Sequence, residues 1–234
     1  MYDIAMTNRN QIQQTGTSLS DAPANSMFPY VLGIAGLAFF LIALILLLSG
    51  HASLIDDPIR HWFYALRRDG LNEFVSHFTL LGNWQVIVAL CIAFLVIPKT
   101  RIGIGVPLAA GSLIIVITNK ILKHIVQRPR PDDILFLVPE DGFSFPSGHS
   151  ISSMFAYGIL LYFVLTKIKS TALKTALAIL LTVLTFGIGL SRIFIGVHFP
   201  TDVLAGWSLG ALGIAVTIWI LQKLRSSSED GPTL

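Results

Sequence analysis

Between Phe28 and Gly50 the chain carries no charged residue. A helix of about 20 apolar residues crosses the hydrocarbon layer of a bilayer, and this run is long enough to do so. Further apolar runs cover Phe74 to Ile97, Ile102 to Asn119, Ser150 to Thr166, Thr175 to Leu190 and Val203 to Gln222. Some are short for a full span and must extend into flanking polar residues. Composition agrees, with 53% hydrophobic and 12% charged residues, about half the charge of a soluble domain. The expected fold is all-α, a polytopic membrane protein of six transmembrane helices.

Two features modify that plan. Asp56 to Arg68 reads as an amphipathic interfacial helix between the first two spans, with Ile59, Trp62, Phe63 and Leu66 at helical spacing. Gly82-Asn83 interrupts the second apolar run and predicts a bent or re-entrant entry. The polar segment 1–27, rich in Ser, Thr, Asn and Gln, lacks the basic start of a signal peptide, and the run behind it exceeds the usual signal core. It reads as a disordered tail ahead of an uncleaved anchor. Residues 28–225 form one membrane domain, and 226–234 a second short tail.

Short basic loops set the orientation. Lys99 and Arg101, then Lys167, Lys169 and Lys174, then Lys223 and Arg225 all fall on one side of a six-span chain, which makes that side cytoplasmic. The opposite side holds Arg60, Arg67, Arg68, Arg128, Arg130 and Arg192, but it also holds Asp132, Asp133, Glu140, Asp141 and Asp202. The net charge of +3 is scattered between apolar runs instead of gathered into a patch, which excludes a nucleic-acid partner. Cys91, the single cysteine, lies inside an apolar run and permits neither an intrachain disulfide nor a cysteine zinc site.

Three polar constellations meet at span ends on the outer side. They are Lys123 to Pro131, Pro146-Ser147-Gly148-His149, and Ser191 to Asp202. Singly, each has a bland structural reading: basic residues snorkel at helix ends, and Pro-Ser-Gly is an ordinary turn and helix start. Together they bring three cations, two histidines, a hydroxyl and a carboxylate to one membrane face. Lys123, Arg130 and Arg192 can surround a phosphoryl group, the arginines in a two-pronged fork. Ser147 and Gly148 open a helix whose free N–H groups favour an anion. His198 and Asp202, four residues apart, share one face of a helical turn, although Pro200 between them disturbs regular geometry. His149, His198 and Asp202 could also hold zinc, but three neighbouring cations would repel a divalent ion. No metal and no cofactor is expected.

The ordered set Lys-x6-Arg-Pro, Pro-Ser-Gly-His and Ser-Arg-x5-His-x3-Asp resembles the three-part signature of the type 2 phosphatidic acid phosphatase superfamily, with every motif position present. The resemblance implies a metal-independent phosphatase that works through a phosphohistidine. In that scheme His198 is the nucleophile, Asp202 its orienter and His149 the donor to the leaving oxygen, while Lys123, Arg130, Ser147, Gly148 and Arg192 hold the phosphoryl group. The residues alone do not say which histidine attacks. A site at the outer lipid–water boundary favours a membrane lipid phosphate of the undecaprenyl diphosphate or phosphatidylglycerophosphate type, with no obligatory protein partner. Phosphatidic acid or lipid A phosphate, or transfer of the phosphoryl group to another acceptor, are the alternative enzyme readings. A lipid-binding scaffold with a vestigial site is the non-enzymatic one. Gly206-x3-Gly210 suits close packing between helices within the chain.

Overall fold

The structure, a computed structural model, describes residues 27–229. Nearly all of the predicted N-terminal tail, and residues 230–234 of the C-terminal one, lie outside the described residues. Eight α-helices of ten residues or more occur among the described residues: α1 (Phe28–Leu48), α2 (Ser53–Ala65), α3 (Asp69–Phe78), α4 (Trp84–Val96), α5 (Val106–Val126), α6 (Gly148–Lys167), α7 (Thr171–Phe194) and α8 (Pro200–Glu229). No strand occurs among the described residues, and the fold is the expected all-α membrane architecture.

Five helices are each long and apolar enough to cross a bilayer, α5 doing so together with its lead-in from Pro98. α3 and α4, bent by 45° where Gly82 and Asn83 interrupt the apolar run, make a sixth crossing when taken as one span. A short 3-10 turn, Thr79–Gly82, carries the bend. The helices outrun their apolar cores at the polar ends. α5 continues past Asn119 to Val126, α7 past Leu190 to Phe194, and α6 starts at Gly148. Basic residues in a last helical turn complement the negative end of the helix dipole, and Lys123 and Arg192 sit in such turns. α8 also runs to Glu229, beyond the domain end expected at Arg225.

α8 packs along α1 and α6, and its two spaced glycines make the second contact possible. A Cβ on Gly206 would stand 2.8 Å from the Ser147 carbonyl oxygen, and one on Gly210 would stand 2.6 Å from Met154 Cβ. The glycine pair is therefore an intrachain seam. Phe155, Ile151, Ile159, Ile188 and Ile218 fill the buried centre between α6, α7 and α8. Outward faces expose Ile34, Ile45, Leu113, Ile114, Ile179 and Val183. So continuous an apolar surface is unsuited to water and suited to lipid.

The interfacial helix differs from its sequence reading in which face does what. Ile59, Trp62 and Leu66 point outward, but Phe63 packs inward against a small cluster of Phe194, Ile195 and Val197. Asp56 is fully buried, and Arg67 donates to the carbonyl of Leu135 at 2.8 Å. Asp56 and, just past the helix, Arg67 are thus bonded to the protein, while Asp57 and His61 stay exposed. α5 and α7 end, and α6 and α8 begin, at this same end of the bundle. Lys99, Arg101, Lys169 and Lys223 lie at the other.

The glycine seam yields a stability test. Gly206→Ala forces its methyl against backbone atoms of the α6 start, and overpacking of this kind costs about 1–3 kcal/mol. Gly70, with nothing within 4 Å of an added Cβ, should accept alanine without loss. Thermal inactivation in detergent checks the pair: the Gly206→Ala midpoint should drop and that of Gly70→Ala should not.

Candidate active site

The site begins with the way α8 starts. Pro200 occupies the first helical position, where its missing N–H costs nothing, and Asp202 follows in the first turn. Asp202 Oδ2 reaches back to accept the N–H of Phe199 at 2.9 Å, a capping interaction. The same oxygen lies 3.4 Å from His198 Nδ1. The pair therefore meets as expected, but not on one helical face. His198 precedes the helix, because a helix starting at Pro200 cannot include it.

Asp202 is held from further sides. Arg128 Nη1 binds its Oδ1 at 2.6 Å, and the Ser144 hydroxyl donates to Oδ2. His198 is buried, with Nε2 3.2 Å from Arg130 Nη1. A guanidinium can only donate, so Nε2 presents its lone pair and Nδ1 carries the proton toward Asp202. Desolvation, reinforced by Arg192, Arg130 and Lys123, pushes the His198 pKa well below the usual 6.5. The imidazole is neutral at neutral pH, with a free nitrogen on the cation side.

The predicted cations converge there. Arg130 donates to the carbonyls of Gly142 at 3.0 Å and Val197 at 2.8 Å. Its Nη2 lies 3.3 Å from the Glu140 carboxylate, whose other oxygen accepts from Arg192. Arg192 is almost wholly buried, and its Nε has no hydrogen-bond partner among the described residues. A buried N–H without an acceptor is costly. Lys123 donates to the carbonyl of Phe143. Glu140 bridges the two arginines, so an incoming anion would compete with it for the same donors.

The start of α6 supplies the rest. Ser147 is its N-cap: its hydroxyl accepts from the Ser150 N–H and from the Ser150 hydroxyl at 2.9 Å. The Ser147 side chain is buried in that cap, so what α6 turns toward the cavity is Gly148 and His149. An unassisted helix start leaves its first N–H groups without intrahelical partners. His149 Nε2 stands 2.7 Å from Asn83 Oδ1 and 3.4 Å from Arg192 Nη1. The shorter contact, to an acceptor oxygen, puts the proton on Nε2. Gly82, just before Asn83, packs so closely that a Cβ would stand 3.0 Å from His149 Cδ2. The bend in the second span is what brings Asn83 to His149.

Lys123, Arg130, Glu140, Gly148, His149 and His198 line one cavity of about 370 Å³. Beside it a cavity of about 670 Å³ runs between α4, α5 and α6, lined by Trp84, Ile87, Val88, Leu113, Val116 and Phe155. Asn119, Gly148 and His149 border both. Lys120 borders the apolar cavity only. The structure thus gathers all eight sequence-predicted site residues at one end of the bundle, with Ser147 in a supporting cap. Sequence reasoning missed Asp56, Asn83, Glu140, Ser144 and Thr201, and passed over Arg128. Arg128 and Thr201 sit within the quoted motif segments, and Ser144 precedes Pro146 by two residues. Asp56 carries no local signal.

A polytopic helical bundle with a buried imidazole facing a nest of cations defines an integral-membrane hydrolase of phosphate esters. The chain belongs to the PAP2 superfamily, whose family model matches residues 104–226. It is 34% identical over 183 residues to phosphatidylglycerophosphatase B of Bacillus subtilis, covering 75% of this chain and 89% of that protein. It is 32% identical over 149 residues to an undecaprenyl-diphosphatase of Sulfolobus acidocaldarius, covering 61% of this chain and 66% of the relative. Among solved structures, it is similar to the crystal structure of a transmembrane PAP2 type phosphatidylglycerolphosphate phosphatase from Bacillus subtilis. That match has a TM-score of 0.68 and 31% identity, and covers 84% of this chain and 98% of the other.

The depressed basicity of His198 has a direct readout. In the free enzyme its imidazole should stay neutral as pH falls from 8 through about 6.5, where an ordinary histidine titrates, and charge only well below. Nitrogen-15 NMR of histidine-labelled protein, with the resonance assigned by its loss in His198→Ala, measures this. A titration midpoint at or above the ordinary value contradicts the assigned environment.

Proposed function

We propose that the chain hydrolyses a phosphomonoester or diphosphate of a membrane lipid through a phosphohistidine on His198, at a site facing the extracytoplasmic side of the cell membrane. One observation carries the reading: the lone-pair nitrogen of a buried, neutral His198 faces Arg130 in a cavity also lined by Lys123 and the start of α6, with Arg192 just behind its Glu140 and His149.

The steps follow from these positions. Lys123, Arg130, Arg192 and the N–H groups of Gly148 and His149 hold the phosphoryl oxygens and stabilise the charge that builds on them. His198 Nε2 attacks phosphorus, and the bond to the lipid oxygen breaks as His149, charged by a proton taken up from the phosphate monoanion when it binds, gives that oxygen the proton and becomes neutral. The Nδ1 proton of His198 stays directed at Asp202, which steadies the positive phosphoimidazole. Water then attacks phosphorus, the neutral His149 takes its proton, the P–N bond breaks, and inorganic phosphate leaves. Asp202 already accepts from Arg128, Ser144, Phe199 and His198, so its oxygens are spent within the protein. This supports a reaction that runs without a metal.

The neighbouring apolar cavity supports a lipid substrate. It meets the cation nest at Gly148 and His149 and lies beside the exposed side chains of Trp84, Val88 and Leu113. A phosphate in the first cavity can therefore keep its acyl or prenyl tail in the second, entering sideways from the bilayer. The relatives named above suggest the phosphatidylglycerophosphate or undecaprenyl diphosphate type. The orientation rests on charge. The basic loops at 99–101 and 167–174 lie opposite the site, whereas Arg128, Arg130 and Arg192 on the site side are paired with Asp56, Asp202 and Glu140.

Two measurements test the reading. His198→Ala should form no phosphoenzyme with any substrate, while His149→Ala should recover part of its phosphorylation rate on an activated aryl phosphate, whose leaving group needs little proton help. Equal rescue of both variants reverses the assignment. For orientation, Ile134→Cys in a Cys91→Ser background should react with an impermeant thiol reagent in intact cells, and Lys169→Cys should not. The opposite pattern would turn the site to the cytoplasm.

A further inference from the structure

We infer that Asp56, on the interfacial helix α2, and Arg128 are positioning residues for the catalytic pair, acting through Asp202; this rests on the reading of His198 as nucleophile. Asp56 is a buried carboxylate 142 residues before His198, outside the region matched by the family model, and nothing in the chemistry above uses it. Its partners all belong to the catalytic end of α8 or lead to it. Asp56 Oδ2 binds Arg128 Nη2 at 2.6 Å. The other prong, Arg128 Nη1, binds Asp202 Oδ1 at 2.6 Å and the Thr201 hydroxyl at 2.8 Å. Asp56 also accepts the Thr201 N–H at 2.8 Å and its hydroxyl at 2.9 Å. One guanidinium thus spans two carboxylates, its face 3.8 Å from the Phe199 ring centre.

The arrangement solves a geometric and an electrostatic problem together. Asp202 must offer Oδ2, not Oδ1, to His198, and a carboxylate is free to turn about its χ2 bond. Arg128 pins Oδ1, which leaves Oδ2 facing the imidazole. A lone arginine there would cancel the charge of Asp202 just where the positive phosphoimidazole needs it. Asp56 takes the second prong of the fork and offsets that positive charge, so the cluster of Asp56, Arg128 and Asp202 keeps one net negative charge beside His198. By accepting the Thr201 N–H, Asp56 also fixes the first turn of α8, from which Asp202 projects. The expected signature is slower chemistry with unchanged substrate binding, since none of these groups lines the phosphoryl cavity.

The test is a kinetic cycle on the full-length enzyme in detergent with a lipid phosphate substrate. Asp56→Asn keeps an acceptor for Thr201 but loses the charge. Its kcat should fall about 10- to 100-fold, the usual range for outer partners of an orienting ligand, with KM within about 2-fold. Arg128→Gln should fall at least as far, and Arg128→Lys, which can pair with Asp202 but not span both carboxylates, should lie between it and wild type. Since Asp56 acts through Arg128, the double variant Asp56→Asn/Arg128→Gln should be no slower than Arg128→Gln alone. Independent, multiplying losses would overturn the proposal, as would a wild-type kcat in Asp56→Asn. If Asp56→Asn is too unstable to purify, Arg128→Lys decides: its kcat must fall without a matching rise in KM, and wild-type kcat in it would equally overturn the proposal. His198→Ala is run alongside. A phosphoenzyme surviving there would refute the nucleophile assignment itself, whereas its absence with unaltered Asp56 and Arg128 variants would refute only the positioning role.

Discussion

Four charged groups at the catalytic end, Asp56, Arg128, Arg192 and Asp202, are buried at the edge of a lipid layer, and most of the surrounding structure answers that cost. An unpaired buried charge is destabilising by several kcal/mol, and removing one partner of a buried ion pair costs about 3–5 kcal/mol. Arg128 is therefore shared between two carboxylates, and Arg130 is bonded to backbone carbonyls of two separate segments. These obligations tie together parts of the chain that the apolar runs would leave independent. The loop between α5 and α6 is anchored by Arg130, Lys123 and Ser144, and α2 by Asp56 and Arg67. The bilayer thus acts twice, first as the solvent that makes the spans helical and then as the low-dielectric wall that makes polar contacts obligatory.

The site is assembled from helix ends with matched polarity. α6 brings an N-terminus whose Gly148 and His149 N–H groups suit an anion and α8 brings Asp202 in its first turn, while α5 and α7 bring Lys123 and Arg192 in their last turns. His198 lies between these groups yet outside any helix, held by the carboxylate of the next turn. That placement leaves its Nε2 directed at the arginines. It also explains how a neutral imidazole persists among three cations: burial and like charge both disfavour its protonation.

Much of this was legible in the residues because the relevant signals are local. Span positions followed from charge-free runs, and the kink from Gly82-Asn83. The converging cations and histidines followed from three short motifs. The residues that escaped notice act at long range. Asp56 is one acid on an amphipathic stretch, and nothing near it announces that it faces a guanidinium 72 positions away. In the sequence Asn83 signals only a disturbance of a helix, because its contact with His149 exists only after α4 and α6 have packed. Helical spacing groups Phe63 with Ile59 and Trp62, but spacing does not distinguish a lipid-facing residue from one facing a second cluster when both are apolar. Ser147 shows the converse: a motif position whose hydroxyl serves the helix that presents the neighbouring groups.

Glu140 completes the electrostatic argument. Arg130 and Arg192 lie close enough to share one carboxylate, and two guanidinium groups at that separation in a poorly hydrated cavity repel each other. Glu140 neutralises part of that repulsion, and as the most exposed member of the trio it is the one that water can best receive on leaving. On the proposed reading a phosphoryl group, with more charge and three acceptor oxygens, takes the place of Glu140 on both arginines at once. A neutral headgroup offers no such compensation and would leave Glu140 in place. On that reading the preference for phosphate rests on the cations and also on the carboxylate displaced to reach them.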